Sequence, residues 1–295
     1  MPSSPLHAPV LEWYAGNARD LPWRSPGTTA WGVLVSEVML QQTPVGRVEP
    51  VYRAWLERWP TPAALAREPA GEAVRAWGRL GYPRRALRLH AAATEVVARH
   101  HGRLPTSYAG LRALPGVGDY TAAAVASFAH GARHAVLDTN VRRVLARAVG
   151  GTEQPAPALT AAERARAEAL LPDEPAVAAR WAVAVMELGA LVCTARTPRC
   201  GGCPVATWCA WRLAGAPAYE GPARRVQPFA GTDRQVRGLL LDVLRGADHP
   251  VPANALDAAW DEPTQRARAL AGLVDDGLVD PLPDGGFALP GSRTT

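Results

Sequence analysis

The stretch LPGVGDYTAAAVA, residues 114–126, decides the fold that we expect for this chain. Gly116 and Gly118 bracket one small apolar residue behind a proline, and from Thr121 onward small apolar residues follow a helical pattern. A chain that turns on two glycines and enters a helix directly leaves backbone N–H groups unpaired at the positive end of the helix dipole. This arrangement suits an anion such as a phosphate; the alternative is an ordinary turn between two helices.

Length and composition narrow the class of protein. With 295 residues, 48% of them hydrophobic, the chain can bury a substantial core and form two or three domains. The N-terminal stretch has no basic region followed by an apolar run, and no apolar window approaches the roughly 18 residues of a membrane span. Neither export nor membrane insertion is therefore indicated, and we expect a cytoplasmic protein.

The charge is unevenly distributed along the sequence. All 32 basic residues are arginines, and the net charge is +5. The residues up to Pro228 hold 26 arginines against 17 acidic residues, whereas those after it hold 6 arginines against 10 acidic residues. The basic part predicts a polyanionic partner such as nucleic acid, with solvated helix faces as the alternative.

Apolar residues at helical spacing predict an almost wholly helical protein. The segments that show this spacing are residues 31–40, 86–99, 120–130, 141–149, 161–171 and 180–192. A stretch rich in Gly, Pro and Ala, residues 215–233, is predicted to link a domain at 1–214 to a small module at 234–295. In that module a helix at 234–245, two shorter helical stretches and a strand-turn-strand at 277–289 predict a winged helix.

Four cysteines give the most specific signal in the sequence. They lie within 17 residues in the spacing C-x6-C-x2-C-x5-C: Cys193, Cys200, Cys203 and Cys209. Structural zinc usually uses two short pairs and only one C-x2-C is present, while a chain without an export signal is not expected to form disulfides. Four thiolates this close can enclose a [4Fe–4S] cluster, with zinc as the alternative. Arg196 and Arg199 lie in the first loop, so we expect the cluster to hold a cationic loop against phosphate, with a redox role as the alternative.

Two acidic residues are candidates for catalysis. Glu37 lies in the predicted helix WGVLVSEVML, either on an exposed polar face or in an apolar pocket where burial favours the protonated form. Asp138 precedes a helix whose exposed face is predicted to carry Arg142, Arg143 and Arg147, and its simplest role is to cap that helix. A protonated acid and an ionised one would together form the pair that glycosidic cleavage needs.

Further motifs complete a family pattern. They are LPWR at 21–24, SEVMLQQT at 36–43 and LGY at 80–82, with an acid twenty residues after Gly118. Together with the hairpin and the cysteine loop, they resemble the helix-hairpin-helix DNA glycosylases with an iron–sulfur cluster, specifically the MutY adenine glycosylases. The resemblance runs from about Leu11 to Trp211. It implies an all-α, two-lobed fold, a [4Fe–4S] cofactor and double-stranded DNA with a mispair or purine lesion as partner. We expect a monomer associated with the bacterial nucleoid.

The resemblance implies a role for each matching residue. Glu37 would protonate the flipped purine, Asp138 would stabilise the oxocarbenium ion or trap it covalently, and Tyr120 and Asn140 would help to hold that intermediate. DNA contacts are implied for Arg24, Gln41, Gln42, Thr43, Tyr82, Leu114, Gly116, Val117, Gly118, Arg196 and Arg199. Related lyases have a lysine at the position of Tyr120, and this chain has no lysine, so we expect a monofunctional glycosylase.

Some positions depart from the family pattern. Val183 stands where a Gln or Glu that hydrogen-bonds adenine is expected, and an apolar side chain cannot make that bond. Thr139 replaces the usual glycine after the aspartate, and Pro83 replaces a common second tyrosine. The roughly 60 residues after the linker are too few for the Nudix-like domain that reads 8-oxoguanine, and their acidity favours a packing or protein-contact role over strong DNA binding.

The choice of base therefore stays open. We expect removal of adenine opposite 8-oxoguanine or guanine. The alternative within the same chemistry is another purine, such as hypoxanthine or its 8-oxo form. The alternative outside enzymes is a protein that binds structured DNA, which has no need for both Glu37 and Asp138.

Overall fold

The computed structural model describes residues 4–221 and 229–292, and these residues are predominantly helical. The helices are α1 His7–Asn17, α2 Ala30–Met39, α3 Val45–Arg58, α4 Pro62–Ala66, α5 Ala70–Trp77, α6 Arg84–His100, α7 Tyr108–Arg112, α8 Asp119–His130, α9 Thr139–Ala148, α10 Ala161–Ala169, α11 Pro175–Leu191, α12 Ala210–Leu213, α13 Asp233–Gly246, α14 Ala253–Asp257 and α15 Pro263–Asp275. Short 3-10 turns cover Pro22–Arg24 and Cys200–Gly202, and two strands are β1 Asp280–Pro281 and β2 Phe287–Ala288. Each predicted helical segment overlaps an observed helix, which confirms the all-α class.

The described residues form two compact units. The first comprises residues 4–33, 106–112 and 117–221, and the second comprises residues 34–105, 113–116 and 229–292. The chain passes from one unit to the other within α2 and again at the hairpin, which agrees with the two lobes expected. No helix in the described ranges has the length and apolar character needed to cross a bilayer.

The core of the first unit lies between α9 and α11. Val144 and Leu145 of α9 are buried in one apolar cluster with Trp181 and Leu188 of α11. The two helices approach closely because α11 has a glycine at the contact: a Cβ added at Gly189 would lie 2.7 Å from the Cβ of Asn140. This close packing sets the position of the first turn of α9.

Tryptophans dominate the core of the helical part of the second unit. Trp55 of α3 meets Trp59 edge to face at a centroid distance of 4.7 Å, and it meets Trp77 of α5 in the same way at 5.8 Å. All three side chains are fully buried. Because large aromatic side chains bury much apolar surface, they fix α5 and the turn that follows it.

Residues 233–292, here the C-terminal module, have the winged-helix order predicted from the sequence. Helix α13 is followed by Val251, which forms a bridge to Phe287, then by α14 and α15, and finally by the antiparallel pair β1 and β2. The N–H groups of Val251 and Phe287 each donate to the other's carbonyl at 2.8 Å. Residues 222–228 of the predicted linker lie outside the described residues, and the domain boundaries stay a prediction.

Candidate catalytic, cluster and DNA-binding residues

Asp138 caps the N-terminus of α9 in the first unit. Its Oδ1 accepts a hydrogen bond of 2.6 Å from the N–H of Val141, and its Oδ2 accepts one of 2.9 Å from Nδ2 of Asn140. Burial raises the pKa of Asp138, while these hydrogen bonds and the charge of Arg143 oppose that rise. The capping role expected from the sequence is therefore present, and it fixes the orientation of the carboxylate.

Arg143 connects this carboxylate to the cysteine loop. Its Nη2 donates to Oδ1 of Asn140 at 2.8 Å and to the carbonyl of Gly189 at 2.7 Å, while its Nε donates to the carbonyl of Cys193 at 2.7 Å. Only 8% of Arg143 is exposed. A continuous chain of hydrogen bonds thus runs from Cys193 through Arg143 and Asn140 to Asp138.

The expectation that α9 exposes Arg142, Arg143 and Arg147 was wrong: the side chain of Arg142 is only 12% exposed and its Nη2 lies 2.9 Å from Oε2 of Glu163, and the other two arginines are buried. Arg143 is buried, and Arg147 is 1% exposed. The Nη1 of Arg147 donates to the carbonyl of Thr194 at 2.7 Å and lies 3.5 Å from Sγ of Cys193. The cause is that backbone carbonyls of the cysteine loop satisfy both guanidinium groups, so burial leaves few donors unpaired.

The four cysteines line one cavity of the first unit. Arg147, Pro198 and Trp211 line it as well, and the guanidinium carbon of Arg147 lies 4.9 Å from the Trp211 ring centre. Within the described residues, no three His, Cys, Asp or Glu side chains converge tightly enough to hold a single metal ion. Four sulfur donors spaced around a cavity, with a buried cation beside them, fit a [4Fe–4S] cluster with its four thiolate ligands.

The same cavity raises the pKa of two of its free thiols, those of Cys193 and Cys203. Burial raises the pKa of the Cys203 thiol to about 11, with a smaller opposing effect from a hydrogen bond of Val205. Burial also raises the pKa of Cys193, against the hydrogen bond and charge of Arg147. Since cysteine binds iron as the thiolate, loading of the cluster must release these protons.

A buried carboxylate that the sequence analysis missed lies on α11. Glu187 is fully buried, and its two oxygens each accept a hydrogen bond of 2.7 Å from the guanidinium of Arg19. Nη1 of Arg24 lies 3.0 Å from Oε2 of the same carboxylate. Burial by itself would raise the pKa of Glu187, but the hydrogen bonds from Arg19 and the charge of Arg24 outweigh it and lower the pKa. Arg24, a predicted DNA contact, therefore has a structural partner.

The hairpin glycines are exposed, as a phosphate site requires. Gly116 has a φ of +75°, and an added Cβ would lie 2.5 Å from the Cβ of Arg88, so neither conformation nor space admits another residue. Gly118 occupies the N-cap of α8 in extended conformation. Within the described residues no backbone carbonyl accepts from the N–H of Gly116 or Gly118. Leu114 and Val117, two further predicted DNA contacts, are buried.

Glu37 lies in α2 and is only 6% exposed. The sequence left open whether Glu37 lies on an exposed face or is buried, and the structure shows that it is buried. Its neighbours Ser36 and Val38 are buried as well. Tyr120, at the start of α8 in the first unit, is partly buried and packs against an apolar cluster that contains Ala123 and Ala124.

Arg85 is a second residue that the sequence analysis missed. In the second unit it forms hydrogen bonds with two segments, the end of α2 with the residues after it and the turn that contains Gly81. It is 5% exposed. It donates five hydrogen bonds of 2.5 to 3.1 Å, from Nη1 to the carbonyls of Val38, Met39 and Gln41, and from Nη2 to Oγ1 of Thr43 and the carbonyl of Gly81. Burial lowers the pKa of Arg85 to about 10, so it stays charged at neutral pH. A cation here satisfies the last carbonyls of α2 and opposes the negative end of its dipole.

Two predicted duplex-entering residues meet beside Arg85. The hydroxyl of Tyr82 donates to Oε1 of Gln42 at 2.9 Å, and 51% of Tyr82 is exposed. Both residues have left-handed backbones, with φ of +48° for Tyr82 and +56° for Gln42. Such conformations persist only where the surroundings hold them, and they cluster at functional sites. Gln41 is partly buried, whereas Thr43 is buried and its hydroxyl donates to the carbonyl of Leu80 at 3.2 Å.

The remaining residues singled out from the sequence differ in how far they are exposed. Arg196 and Arg199 are exposed in the cysteine loop. Val183 is partly buried on α11, one turn before Glu187, and Thr139 is exposed at the start of α9. Pro83 is partly buried.

Comparison with known proteins agrees with this arrangement. Residues 35–168 match the HhH-GPD superfamily of base excision DNA repair proteins, and residues 193–209 match the iron-sulfur binding domain of endonuclease III. The adenine DNA glycosylase of Mycobacterium tuberculosis (strain CDC 1551 / Oshkosh) is 54% identical over 96% of this chain and 92% of its own length. The adenine DNA glycosylase of Homo sapiens is 41% identical over 68% of this chain and 38% of its own length.

Solved structures show the same fold. A thermostable thymine-DNA glycosylase, 27% identical, covers 70% of this chain and 94% of its own, with a TM-score of 0.63. An endonuclease III in a non-covalent complex with DNA, 21% identical, covers 70% of this chain and 92% of its own, with a TM-score of 0.59. These matches confirm the helix-hairpin-helix fold and the iron–sulfur domain expected from the sequence.

Proposed function

This chain belongs to the adenine DNA glycosylase family, within the HhH-GPD superfamily of base excision DNA repair proteins, and from that premise we propose that it hydrolyses the N-glycosidic bond of adenine opposite 8-oxoguanine or guanine. The observation that carries the proposal is the carboxylate of Asp138, whose two oxygens accept hydrogen bonds at the N-terminus of α9. The second acid, Glu37, is only 6% exposed in α2. A buried acid and a carboxylate fixed by hydrogen bonds are the two groups that glycosidic cleavage needs.

The resemblance to adenine DNA glycosylases implies the chemistry of these residues. The target adenine leaves the base stack, because its glycosidic bond is not accessible inside the duplex. Glu37 donates a proton to the purine, so that the base departs as a neutral leaving group. Asp138 stabilises the oxocarbenium ion or bonds to its anomeric carbon, and water then completes the hydrolysis. Tyr120 and Asn140 hold this intermediate, and the bound base is released with an abasic site left in the strand.

The predicted DNA contacts differ in the support that they have. Gly116 and Gly118 are exposed and no described backbone carbonyl accepts from their N–H groups, so each is available to a DNA phosphate, as the exposed Arg196 and Arg199 are. The cluster, when bound, anchors the loop that presents these two arginines. Tyr82 and Gln42 enter the duplex, with Gln41 beside them. Three of the predicted contacts are buried and contribute through backbone atoms or by supporting the segments around them: Thr43, Leu114 and Val117. Arg24 contributes chiefly by its ion pair with Glu187.

A second candidate function rests on Val183. Its partly buried apolar side chain cannot hydrogen-bond adenine, so the same chemistry directed at hypoxanthine or 8-oxo-hypoxanthine is the alternative. Single-turnover base release from a panel of duplexes distinguishes the two. Rapid release of adenine opposite 8-oxoguanine or guanine supports the first function, and release of only modified purines supports the second. Release from no duplex would contradict both and favour a protein that only binds DNA.

A further inference from the structure

The C-terminal module packs on α5 within the second unit. The N–H of Gly71 donates to the carbonyl of Pro290 at 2.7 Å. A Cβ added at Gly71 would lie 2.8 Å from both the Cβ of Leu289 and the carbonyl oxygen of Pro290. The segment after β2 therefore lies directly on the backbone of α5, where a side chain on residue 71 cannot fit.

A second contact joins α13 to the same helix. The side chain of Arg245 is 11% exposed, and its Nε donates to the carbonyl of Val74 at 3.0 Å. The carbonyl of Arg245 in turn accepts a hydrogen bond from Nη1 of Arg75. Buried, reciprocal hydrogen bonds of this kind fix the position of two helices relative to each other.

Two ion pairs extend the contact to both sides of the turn at residues 80–83. Arg79 precedes the turn, and its Nη2 lies 2.8 Å from Oδ2 of Asp242 on α13. Arg84 follows the turn, and its Nη1 lies 3.1 Å from Oδ1 of Asp276 at the end of α15. The turn itself contains Tyr82 with its left-handed backbone. The acidic module thus holds a turn with an unfavourable conformation from both ends.

We propose that the C-terminal module acts as a brace, which means that it holds the turn at residues 80–83 in its observed conformation. In this proposal Asp242 and Asp276 are positioning residues for Tyr82. The inference rests on the proposed function, in which Tyr82 enters the duplex. It also explains two of the acidic residues of the module, Asp242 and Asp276, because each pairs with an arginine beside the turn. The side chains of Arg79 and Arg84 are 82% and 55% exposed, so each pair alone is weak and both must be broken to test the brace.

The test uses the full-length protein with the double substitution Asp242→Asn and Asp276→Asn. The matched control is Asp233→Asn, which removes an acid that pairs with Arg268 inside the module. Hydrogen–deuterium exchange of the free protein is measured for peptides that cover residues 78–85. We expect severalfold faster exchange in the double variant and wild-type exchange in the control. We expect restored protection when Asp276→Asn is combined with the charge swap Asp242→Arg and Arg79→Asp, which rebuilds one of the two pairs. Unchanged exchange in the double variant would overturn the brace.

Single-turnover base release then tests positioning. We expect the double variant to release base about tenfold more slowly at saturating enzyme, and we expect no further loss when it is combined with Tyr82→Ala. Full activity in the double variant, or a loss that simply adds to that of Tyr82→Ala, would overturn the positioning role. If the wild-type protein releases no base from any duplex, the proposed function fails, while the exchange experiment still decides whether the module braces the turn.

Discussion

Asn140 holds the carboxylate of Asp138 through a hydrogen bond of 2.9 Å from Nδ2 to Oδ2. The amide of Asn140 cannot turn over, because its Oδ1 accepts from Nη2 of Arg143 and a guanidinium can only donate. The second oxygen of Asp138 accepts from the N–H of Val141. Both oxygens of the proposed catalytic carboxylate are therefore fixed, and two of the following predictions depend on this arrangement.

Asp138→Asn should abolish base release without loss of duplex binding. An amide cannot carry the charge that stabilises an oxocarbenium ion, so we expect the single-turnover rate constant to fall by a factor of about 1,000 or more. Asparagine can still cap α9 through its oxygen, but its NH2 group would face the Nδ2 donor of Asn140, so the free energy of unfolding should fall by about 1 to 2 kcal/mol. Rate and affinity are measured on the same duplex, and a variant with full activity would rule out the mechanism.

Asn140→Ala should move the acid limb of the pH–rate profile to higher pH. The hydrogen bond from Asn140 opposes the rise that burial causes in the pKa of Asp138, so its loss raises that pKa further. Asp138 is then protonated, and inactive, at a higher pH. A hydrogen bond of about 1 kcal/mol corresponds to a shift of roughly 0.7 pH units. Thr139→Ala, at an exposed neighbouring position, is the control, and an unmoved limb in Asn140→Ala would contradict the assignment.

Glu187→Gln should destabilise the protein at neutral pH and less so in acid. The pKa of Glu187 in the folded state lies below its ordinary value, so its stabilising effect is complete above the unfolded pKa and is lost as pH falls through the folded one. At pH 7 the neutral amide leaves Arg19 and Arg24 without their counter-charge, which should lower the free energy of unfolding by about 3 kcal/mol.

Urea unfolding at neutral and at acidic pH measures this difference. Glu95→Gln, which removes a surface pair with Arg99, is the control and should cost less than about 1 kcal/mol at either pH. An equal loss of stability at both pH values in Glu187→Gln would show that the carboxylate acts through its shape alone.

Arg85→Met should lower both stability and activity. Its five acceptors include the last carbonyls of α2 and the carbonyl of Gly81, which lose their donor, so we expect a fall of about 3 kcal/mol in the free energy of unfolding. Arg85→Lys should not restore either property, because one ammonium cannot reach acceptors on both segments. Thermal unfolding and base release are compared with Arg53→Met, a surface control, and a fully active Arg85→Met would refute the role.

Borohydride should trap no covalent adduct between this protein and DNA. Trapping requires an amine that forms a Schiff base with the sugar, and the chain has no lysine. The resemblance to the helix-hairpin-helix glycosylases places Tyr120 at the position where related lyases have that lysine. A glycosylase with lyase activity serves as the positive control on the same duplex, and a strong adduct from this protein would reveal the N-terminal amine as a nucleophile.

The sequence predicts those features that depend on local patterns. Apolar spacing predicts most long helices, and the cysteine spacing predicts the cluster loop. Helix α3 was not predicted, although Val48, Tyr52 and Trp55 form its buried stripe, since Pro50 interrupts the pattern. The predicted strand-turn-strand appears as β1 and β2.

Buried charges could not be predicted, because their partners lie far away along the chain. Arg19 and Glu187 meet only in the folded first unit. The burial of Arg143 and Arg147 depends on carbonyls in the cysteine loop, and that of Arg85 depends on carbonyls at the end of α2. An arginine on a helix has the same sequence pattern whether it faces water or backbone carbonyls.

The contact between Gly71 and Pro290 determines when α5 can complete its packing during synthesis. A ribosome makes the amino-terminal residues first, so α5 leaves the exit tunnel long before the segment that covers Gly71 has been translated. The nascent chain therefore exposes that face of α5, and the second unit completes its packing only after residues 289 and 290 have been translated. A premature stop just before residue 289 would leave Glu37 and the hairpin in the product and remove the segment that packs on α5.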